Sequence, residues 1–296
     1  ITMSTSSFEL VKWLDQTGGA FIFQEENSLE SHSGWWGREL DPNRLGEMGR
    51  GIVLWMLVTL LATAALDQLL VRWLFRRDET TTRRWFLLHV VFNAYVVLHT
   101  CPYIATSLFF PYDVYLPEVP YTFVSQFSTT AIAAFHLYHA LFFPLTTEDI
   151  WHHLINTGVV VVVGVAFPFS YGLCLCNFIM CGLPGGIDYL LLVLVKSRMM
   201  PRMREKFLNL HLNMLVRYPG MLLTTWAFLL AVAQQRVRLD AISVLPTTLT
   251  LVLMLIGAFL HTANAYYFCQ KVVGNYHVCS KEERQRADQS SKTIKQ

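Results

Sequence analysis

Charged residues are scarce in this sequence. Asp, Glu, Lys and Arg make up 15% of its 296 residues, whereas hydrophobic residues make up 53% and aromatic residues 14%. An ordinary soluble domain carries about 25% charged residues, so this composition excludes that class. The formal net charge is only +2. Proteins that bind nucleic acid need a basic patch or stripe, and we therefore expect no nucleic-acid partner.

Several sequence motifs of known chemistry are also absent. The six cysteines form no Cys-x-x-Cys pattern, which argues against a zinc site and a disulfide framework. The chain has no His-Glu-x-x-His run, no phosphate-cradling glycine loop and no nucleophile elbow. We therefore predict neither a metal nor a cofactor, although a bound phospholipid is compatible with the sequence.

Targeting signals are weak. No Asn-x-Ser/Thr sequon occurs, and no basic segment followed by a short apolar run opens the chain. The sequence begins with Ile1, which we interpret as a processed terminus or the start of a fragment. These features favour an intracellular membrane. We expect the mitochondrial inner membrane, with the endoplasmic reticulum as the alternative.

Long apolar stretches are what the sequence does have. A helix needs about 20 apolar residues to cross a bilayer, and seven stretches of that length occur. The prediction is an all-α, polytopic membrane helix bundle of about seven transmembrane helices over residues 52–269, between a polar segment (1–51) and a charged tail (270–296). The seven stretches are Ile52–Phe75, Trp85–Phe110, Tyr121–Pro144, His152–Tyr171, Leu173–Val195, Leu212–Ala233 and Pro246–Cys269.

The basic residues support an odd number of spans. With seven spans, 15 lysines and arginines fall on the side that holds the C-terminus, and 6 fall on the opposite side. Cytoplasmic or matrix-facing loops collect Lys and Arg, so the C-terminus is predicted to lie on that side.

Polar residues recur inside the apolar stretches. Between Phe135 and Ile155 four histidines and two acids lie where the third and fourth spans meet. Polar side chains are costly against lipid, so those at helical spacing should converge on the bundle interior. The residues predicted to line such a cavity are His89, Asn93, His136, His139, His152, His153, Asn177, Asp188, His261 and Asn264.

Three interpretations of that polar interior stay open. The polar groups can join helices by hydrogen bonds, they can surround the head group of a lipid, or the histidines can ligate a metal or act as acid and base. His136 and His139 are three residues apart and share a helix face. His152 and the next histidine point about 100° apart, so we expect a four-histidine site to be geometrically strained.

The order of these motifs resembles the TLC-domain membrane proteins, which include the ceramide synthases and the translocation-associated membrane proteins. The matching segments are Phe135–His139, the adjacent pair at 152 and 153, and Gly182–Asp188. The likeness covers roughly residues 50–270. It implies that the last six spans form a TLC-type barrel and that the function concerns lipids.

The chain departs from the TLC pattern at its acidic residues. His139 replaces the family's intramembrane acid, and no His-Asp-x-x-Asp element is present. If the protein is an acyltransferase of this family, His152, His153 and Asp188 are its catalytic candidates. The Pro184-Gly185-Gly186 run predicts a broken or kinked fifth helix, because proline removes an intrahelical hydrogen bond.

A basic loop follows the fifth span. We expect it to set the topology, with contact to an anionic lipid such as cardiolipin as a second role. Its cations are Lys196, Arg198, Arg202 and Arg204.

Two functions therefore compete. The first is a non-catalytic, lipid-contacting accessory subunit of a larger membrane complex, of respiratory or ATP-synthase type. Its partners would be membrane lipids and other membrane subunits. The second is a lipid-modifying enzyme such as a ceramide-synthase-like acyltransferase.

Overall fold

The computed structural model describes residues 42–70, 81–109, 127–161, 170–233 and 247–294. Within these ranges the chain is helical, with short connections and no β-strand, so the predicted all-α class is confirmed. The polar segment 1–41 lies outside the described residues.

The helices follow one another in chain order, and five of the α-helices continue directly into or out of one of three π-helical segments. The elements are α1 (Pro42–Leu69), α2 (Thr81–Phe109), α3 (Phe127–Phe142), α4 (Thr147–His152), π1 (His153–Val161), α5 (Ser170–Asn177), π2 (Phe178–Gly182), α6 (Leu183–Lys196), α7 (Arg202–Leu212), π3 (Asn213–Arg217), α8 (Tyr218–Ala233) and α9 (Thr247–Ile294).

Four helical segments are long and apolar enough to cross a bilayer: Arg50–Leu69, Arg83–Ile104, Gly172–Lys196 and Leu251–Lys292. They coincide with the first, second, fifth and seventh predicted spans. The chain is therefore an integral membrane protein with an all-α bundle. Parts of the third and fourth predicted spans lie outside the described residues, and the sixth is helical but is not among these four segments. The number seven therefore stays a prediction.

Helix α2 forms the centre of the bundle. It packs against α6, α5, π2 and α3, and apolar side chains fill the space between these helices. Phe135 of α3 is only 2% exposed, and its ring stacks on Phe92 of α2 with 4.2 Å between centroids. This aromatic packing fixes the α2–α3 pair, which carries four of the ten histidines.

A second core cluster joins π2 to α8 and α9. Gly220 permits the close approach there, because a Cβ at this position would lie 2.7 Å from Cγ2 of Ile179. At the other side of the bundle, Arg84 forms an ion pair with Asp67 at 2.8 Å, and the Tyr138 hydroxyl donates to the same carboxylate at 2.8 Å. This triad connects α1, α2 and α3.

The fifth predicted span is not broken at Pro184. One continuous helical segment runs from Gly172 to Lys196, and the π2 turn ends directly before Leu183 and Pro184. The helix tolerates the proline because this residue has no N–H to donate and lies in the first turn of α6, directly after the wider π2 turn.

Two segments predicted as loop or tail are helical. Residues 202–212 form α7, because Glu205 and Asn209 give it a buried face at four-residue spacing. Helix α9 continues past Cys269 to Ile294, and residues 281–292 of it are exposed.

Candidate functional site

A cavity of about 220 Å³ lies inside the bundle. Its walls come from α2, α3, α4, π1, π2, α6, π3 and α9. Eight of the ten predicted cavity residues line it, namely His89, Asn93, His136, His139, His152, His153, Asp188 and Asn264. The polar side chains of separate spans thus converge on one partly open cavity.

Two histidines from facing segments make direct contact across the junction of α3 and π1. Nδ1 of His139 and Nε2 of His153 are 2.9 Å apart, so one ring donates its proton to the other. His136 lies beside them, with 5.0 Å between its ring centroid and that of His153. The four rings come from two facing segments, since His136 and His139 belong to α3 and the adjacent pair lies where α4 continues into π1.

The histidine cluster is not arranged as a metal centre. Over the described residues, no group of three or more His, Cys, Asp or Glu side chains could hold a metal ion. His136 uses its Nδ1–H to donate to the Ile132 carbonyl at 2.8 Å. Its Nε2 therefore carries the lone pair.

Aromatic rings hold the histidines in place. Trp85 stacks on His139 with 3.7 Å between centroids and meets His89 edge-on at 3.8 Å. The other face of the His89 ring stacks on Tyr189 at 3.8 Å. His89, His136, His139, His152 and His153 together are called the histidine wall below.

A chain of hydrogen bonds joins two other residues of the cavity wall, Asp188 and Arg217. Asn209 Nδ2 donates to Oδ1 of Asp188 at 2.7 Å, and Asn213 Nδ2 donates to Oδ1 of Asn209 at 2.6 Å. Arg217 Nη1 then donates to Oδ1 of Asn213 at 2.9 Å. Asp188, Asn209, Asn213 and Arg217 are called the amide ladder below.

Sequence reasoning placed only Asp188 of this ladder in the cavity. Asn209 and Asn213 are 7% and 0% exposed, and Arg217 lines the cavity. The four-residue spacing of Asn209, Asn213 and Arg217 is the sequence signal that places them on one helix face. Sequence reasoning missed this face because it assigned Asn209 to a loop and the other two residues to the span that begins at Leu212.

Acidic residues of α4 also line the cavity. The Asp149 carboxylate accepts hydrogen bonds from the Thr146 N–H at 2.8 Å and from its hydroxyl at 2.7 Å. Burial raises the pKa of Asp149, but these hydrogen bonds outweigh burial and hold the pKa below its ordinary value. The neighbouring Glu148 forms an ion pair with Lys271 of α9.

Two predicted cavity residues lie elsewhere. Asn177 is buried between α5 and α3, where its Nδ2 donates to the hydroxyls of Ser128 and Thr129 at 3.0 and 2.8 Å. His261 pairs with Cys176, with 3.8 Å from Nδ1 to Sγ. Both side chains face neighbouring helices and are used in helix packing, so neither lines this cavity.

The four cations of the predicted lipid-binding loop are exposed and do not line the cavity. Lys196 ends α6, Arg198 lies in the connection, and Arg202 and Arg204 open α7. Arg198 has φ of 58°. Its N–H bonds the Val195 carbonyl while the next N–H reaches the Leu194 carbonyl, which is the Schellman pattern of a helix end.

Comparison of this chain with protein-family models, with curated proteins and with solved structures gives no significant match. The site is therefore interpreted from its own residues.

Proposed function

We propose that this integral membrane protein binds a lipid, with the lipid head group in the cavity between the histidine wall and the amide ladder. The observation that carries the proposal is the convergence of polar side chains from separate helices on one partly open cavity within an apolar bundle. Such side chains are costly in a membrane and usually mark a ligand or ion path.

The size of the cavity suits a lipid head group better than a complete drug-sized molecule. Sites for drug-sized molecules measure roughly 300–1,000 Å³, whereas this cavity has about 220 Å³. The acyl chains of a lipid would then extend between helices whose outer surfaces are apolar. Leu137 and Leu141 of α3, for example, are 40% and 64% exposed.

The same proposal includes a non-catalytic role. His89 and His136 donate to backbone carbonyls, and His139 pairs with His153. None of these four rings hydrogen-bonds a carboxylate of the described residues, whereas an acid commonly orients a histidine base. We propose a TLC-like bundle of seven spans that serves as an accessory subunit of a mitochondrial inner-membrane complex.

Lipid retention tests the cavity. Native mass spectrometry of the full chain in mild detergent should detect a co-purified lipid. Gly185→Leu should remove it, because a side chain there enters the cavity beside Asn93. Gly274→Leu is the matched control, since a Cβ at that exposed helical position meets no atom within 4 Å. Equal lipid retention by both variants would refute cavity binding.

The accessory role has a separate test. Mild-detergent extraction from the native membrane followed by native gel electrophoresis should show the chain in a stoichiometric complex much larger than 34.0 kDa. Migration as a free monomer or dimer would contradict that part of the proposal.

An acyltransferase is the second candidate, and the close pair His139–His153 favours it. Two imidazoles 2.9 Å apart can pass a proton between them. The assay is acyl transfer from an acyl-CoA to a long-chain amine by the purified protein and by the double variant His152→Ala with His153→Ala. Activity in the wild type that the double variant loses would favour the enzyme. Absence of turnover, or turnover unchanged in the variant, would reject it.

A further inference from the structure

Arg217 is a cation in the cavity wall that forms no direct ion pair with a described carboxylate. Among the residues that the structure describes, no carboxylate lies within 4.0 Å of its guanidinium nitrogens. Its Nη1 donates to the neutral amide of Asn213, and its buried Nε has no partner. A guanidinium has five N–H donors and cannot lose its charge in a protein. The site therefore has donor capacity that the described residues do not use.

The acids that line the cavity are already engaged. Glu148 is paired with Lys271, and Asp149 accepts from the backbone and side chain of Thr146. Asp188 accepts from Asn209 at 2.7 Å. Each of the three lining carboxylates thus has a donor of its own. Asp188 and Arg217 interact through their charges across the ladder, but no described carboxylate is in direct contact with the partly buried guanidinium. A direct, charge-assisted contact with an anion would therefore still stabilise it.

The structure also keeps space beside this cation. A Cβ at Gly185 would lie 3.8 Å from Nη2 of Arg217 and 3.0 Å from Nδ2 of Asn93. Asn93, Gly185 and Arg217 all line the same cavity volume, and residue 185 adds no side chain between the two nitrogen groups. An oxyanion in that volume could accept from both.

We infer that Arg217 binds the negatively charged head of the lipid, a phosphate or a carboxylate, and that the amide ladder fixes its guanidinium for this purpose. Arginine is suited to these groups because its planar fork matches two oxygens of one anion. The inference rests on the proposed lipid-binding function and adds the charge class of the ligand.

The test is a binding series with the full delipidated chain in detergent. The probes are dioctanoyl phosphatidic acid, dodecanoate, dioctanoylglycerol and inorganic phosphate, with Trp fluorescence and native mass spectrometry as readouts. The wild type should bind each anionic lipid at least about tenfold more tightly than dioctanoylglycerol, the scale of one charge-assisted contact. Inorganic phosphate should bind more weakly than phosphatidic acid, because it has no acyl chains.

Variants assign the preference to the arginine. Arg217→Gln should reduce the affinity for phosphatidic acid by about tenfold and leave that for dioctanoylglycerol within about twofold. Arg217→Lys keeps the positive charge but not the planar guanidinium, so it should lose less affinity for phosphatidic acid than Arg217→Gln. Arg284→Gln removes an exposed cation of α9 and is the matched control for charge alone. If Arg217→Gln does not fold, the inference is tested by Arg217→Lys and by the wild type's preference for anionic lipids over dioctanoylglycerol.

The failures are distinguishable. If the wild type binds all three lipids equally while Gly185→Leu weakens all of them, the inference is wrong and the lipid cavity stands. If Gly185→Leu changes no binding, the proposed function itself fails. Inorganic phosphate that binds as tightly as phosphatidic acid would overturn the assignment to a lipid head.

Discussion

The two walls of the cavity are held in different ways. In the histidine wall, the rings of Trp85, Phe135 and Tyr189 pack against the imidazoles. His89 and His136 donate to carbonyls of their own helix, and the hydrogen bond between His139 and His153 joins two segments. The amide ladder is fixed by a hydrogen bond at every step from Asp188 to Arg217.

This difference separates two tasks. An imidazole of this wall can keep one ring nitrogen for a ligand, as His136 keeps Nε2 while its Nδ1–H donates to the Ile132 carbonyl. The ladder commits its amides to one arrangement and presents one guanidinium in a defined position. We therefore expect the histidine wall to tolerate exchange of its polar groups but not loss of packing. We expect the ladder to tolerate loss of packing better than exchange of its polar groups.

Phe135→Ala should give the largest effect. The side chain is 2% exposed and contacts Phe92, Trp85 and His89. Its removal should lower the free energy of unfolding by about 3 kcal/mol or more, as for buried aromatic residues in general. Thermal unfolding in detergent, followed by circular dichroism, measures the change.

Leu137→Ala on the same helix is the control for that prediction. Leu137 is 40% exposed, so its truncation should change the melting temperature much less. Equal destabilisation by the two variants would mean that ring packing does not hold the histidine wall.

Asn213→Leu tests the ladder. Asn213 is 0% exposed, donates to Asn209 and accepts from Arg217, so leucine removes the donor to Oδ1 of Asn209 and the acceptor of Nη1 of Arg217. We expect a loss of about 2 kcal/mol, since unsatisfied buried groups cost roughly 1–3 kcal/mol each. His153→Leu breaks one hydrogen bond in the other wall and should destabilise the protein less. The reverse order, measured by chemical unfolding in detergent, would contradict the contrast between the walls.

The histidine wall could be predicted because its residues form visible clusters and periodic stripes in apolar sequence. The helical class could also be predicted, because apolar stretches long enough to span a bilayer are visible in the sequence. The ladder could not be predicted with the same rules, because Asn209 lies in a segment whose charges indicated a loop. Asn177 and His261 show the opposite error, since periodicity identifies a buried face but not which neighbour that face meets. Contacts between distant helices, such as Arg84 with Asp67, depend on packing that no local pattern encodes.

The cap of α4, at the edge of the histidine wall, should show a pH dependence. The pKa of Asp149 is lowered from 3.8 in the folded state because Thr146 donates to its carboxylate. The stabilisation is therefore fully present above pH about 4, the ordinary value for an unfolded chain, and is lost as the pH falls through the folded pKa.

Asp149→Asn measures this contribution. The wild type should be more stable than the variant by about 1 kcal/mol at pH 6, the usual worth of a helix cap. That advantage should shrink as the pH is lowered toward 3, as followed by melting temperature. An advantage that stays constant or grows on acidification would show that the charge of Asp149 does not act in the cap.

Arg198→Gly should give the smallest effect, at the far end of the helix that carries Asp188. The residue has φ of 58°, a conformation that glycine adopts without strain. Glycine there should raise the free energy of unfolding by about 0.5 kcal/mol, since αL costs other residues roughly 1 kcal/mol. Arg204→Gly removes the same charge from inside α7 and should instead destabilise by up to about 1 kcal/mol. Opposite signs for two equal charge changes would show that backbone geometry at this helix end, and not its positive charge, determines its stability.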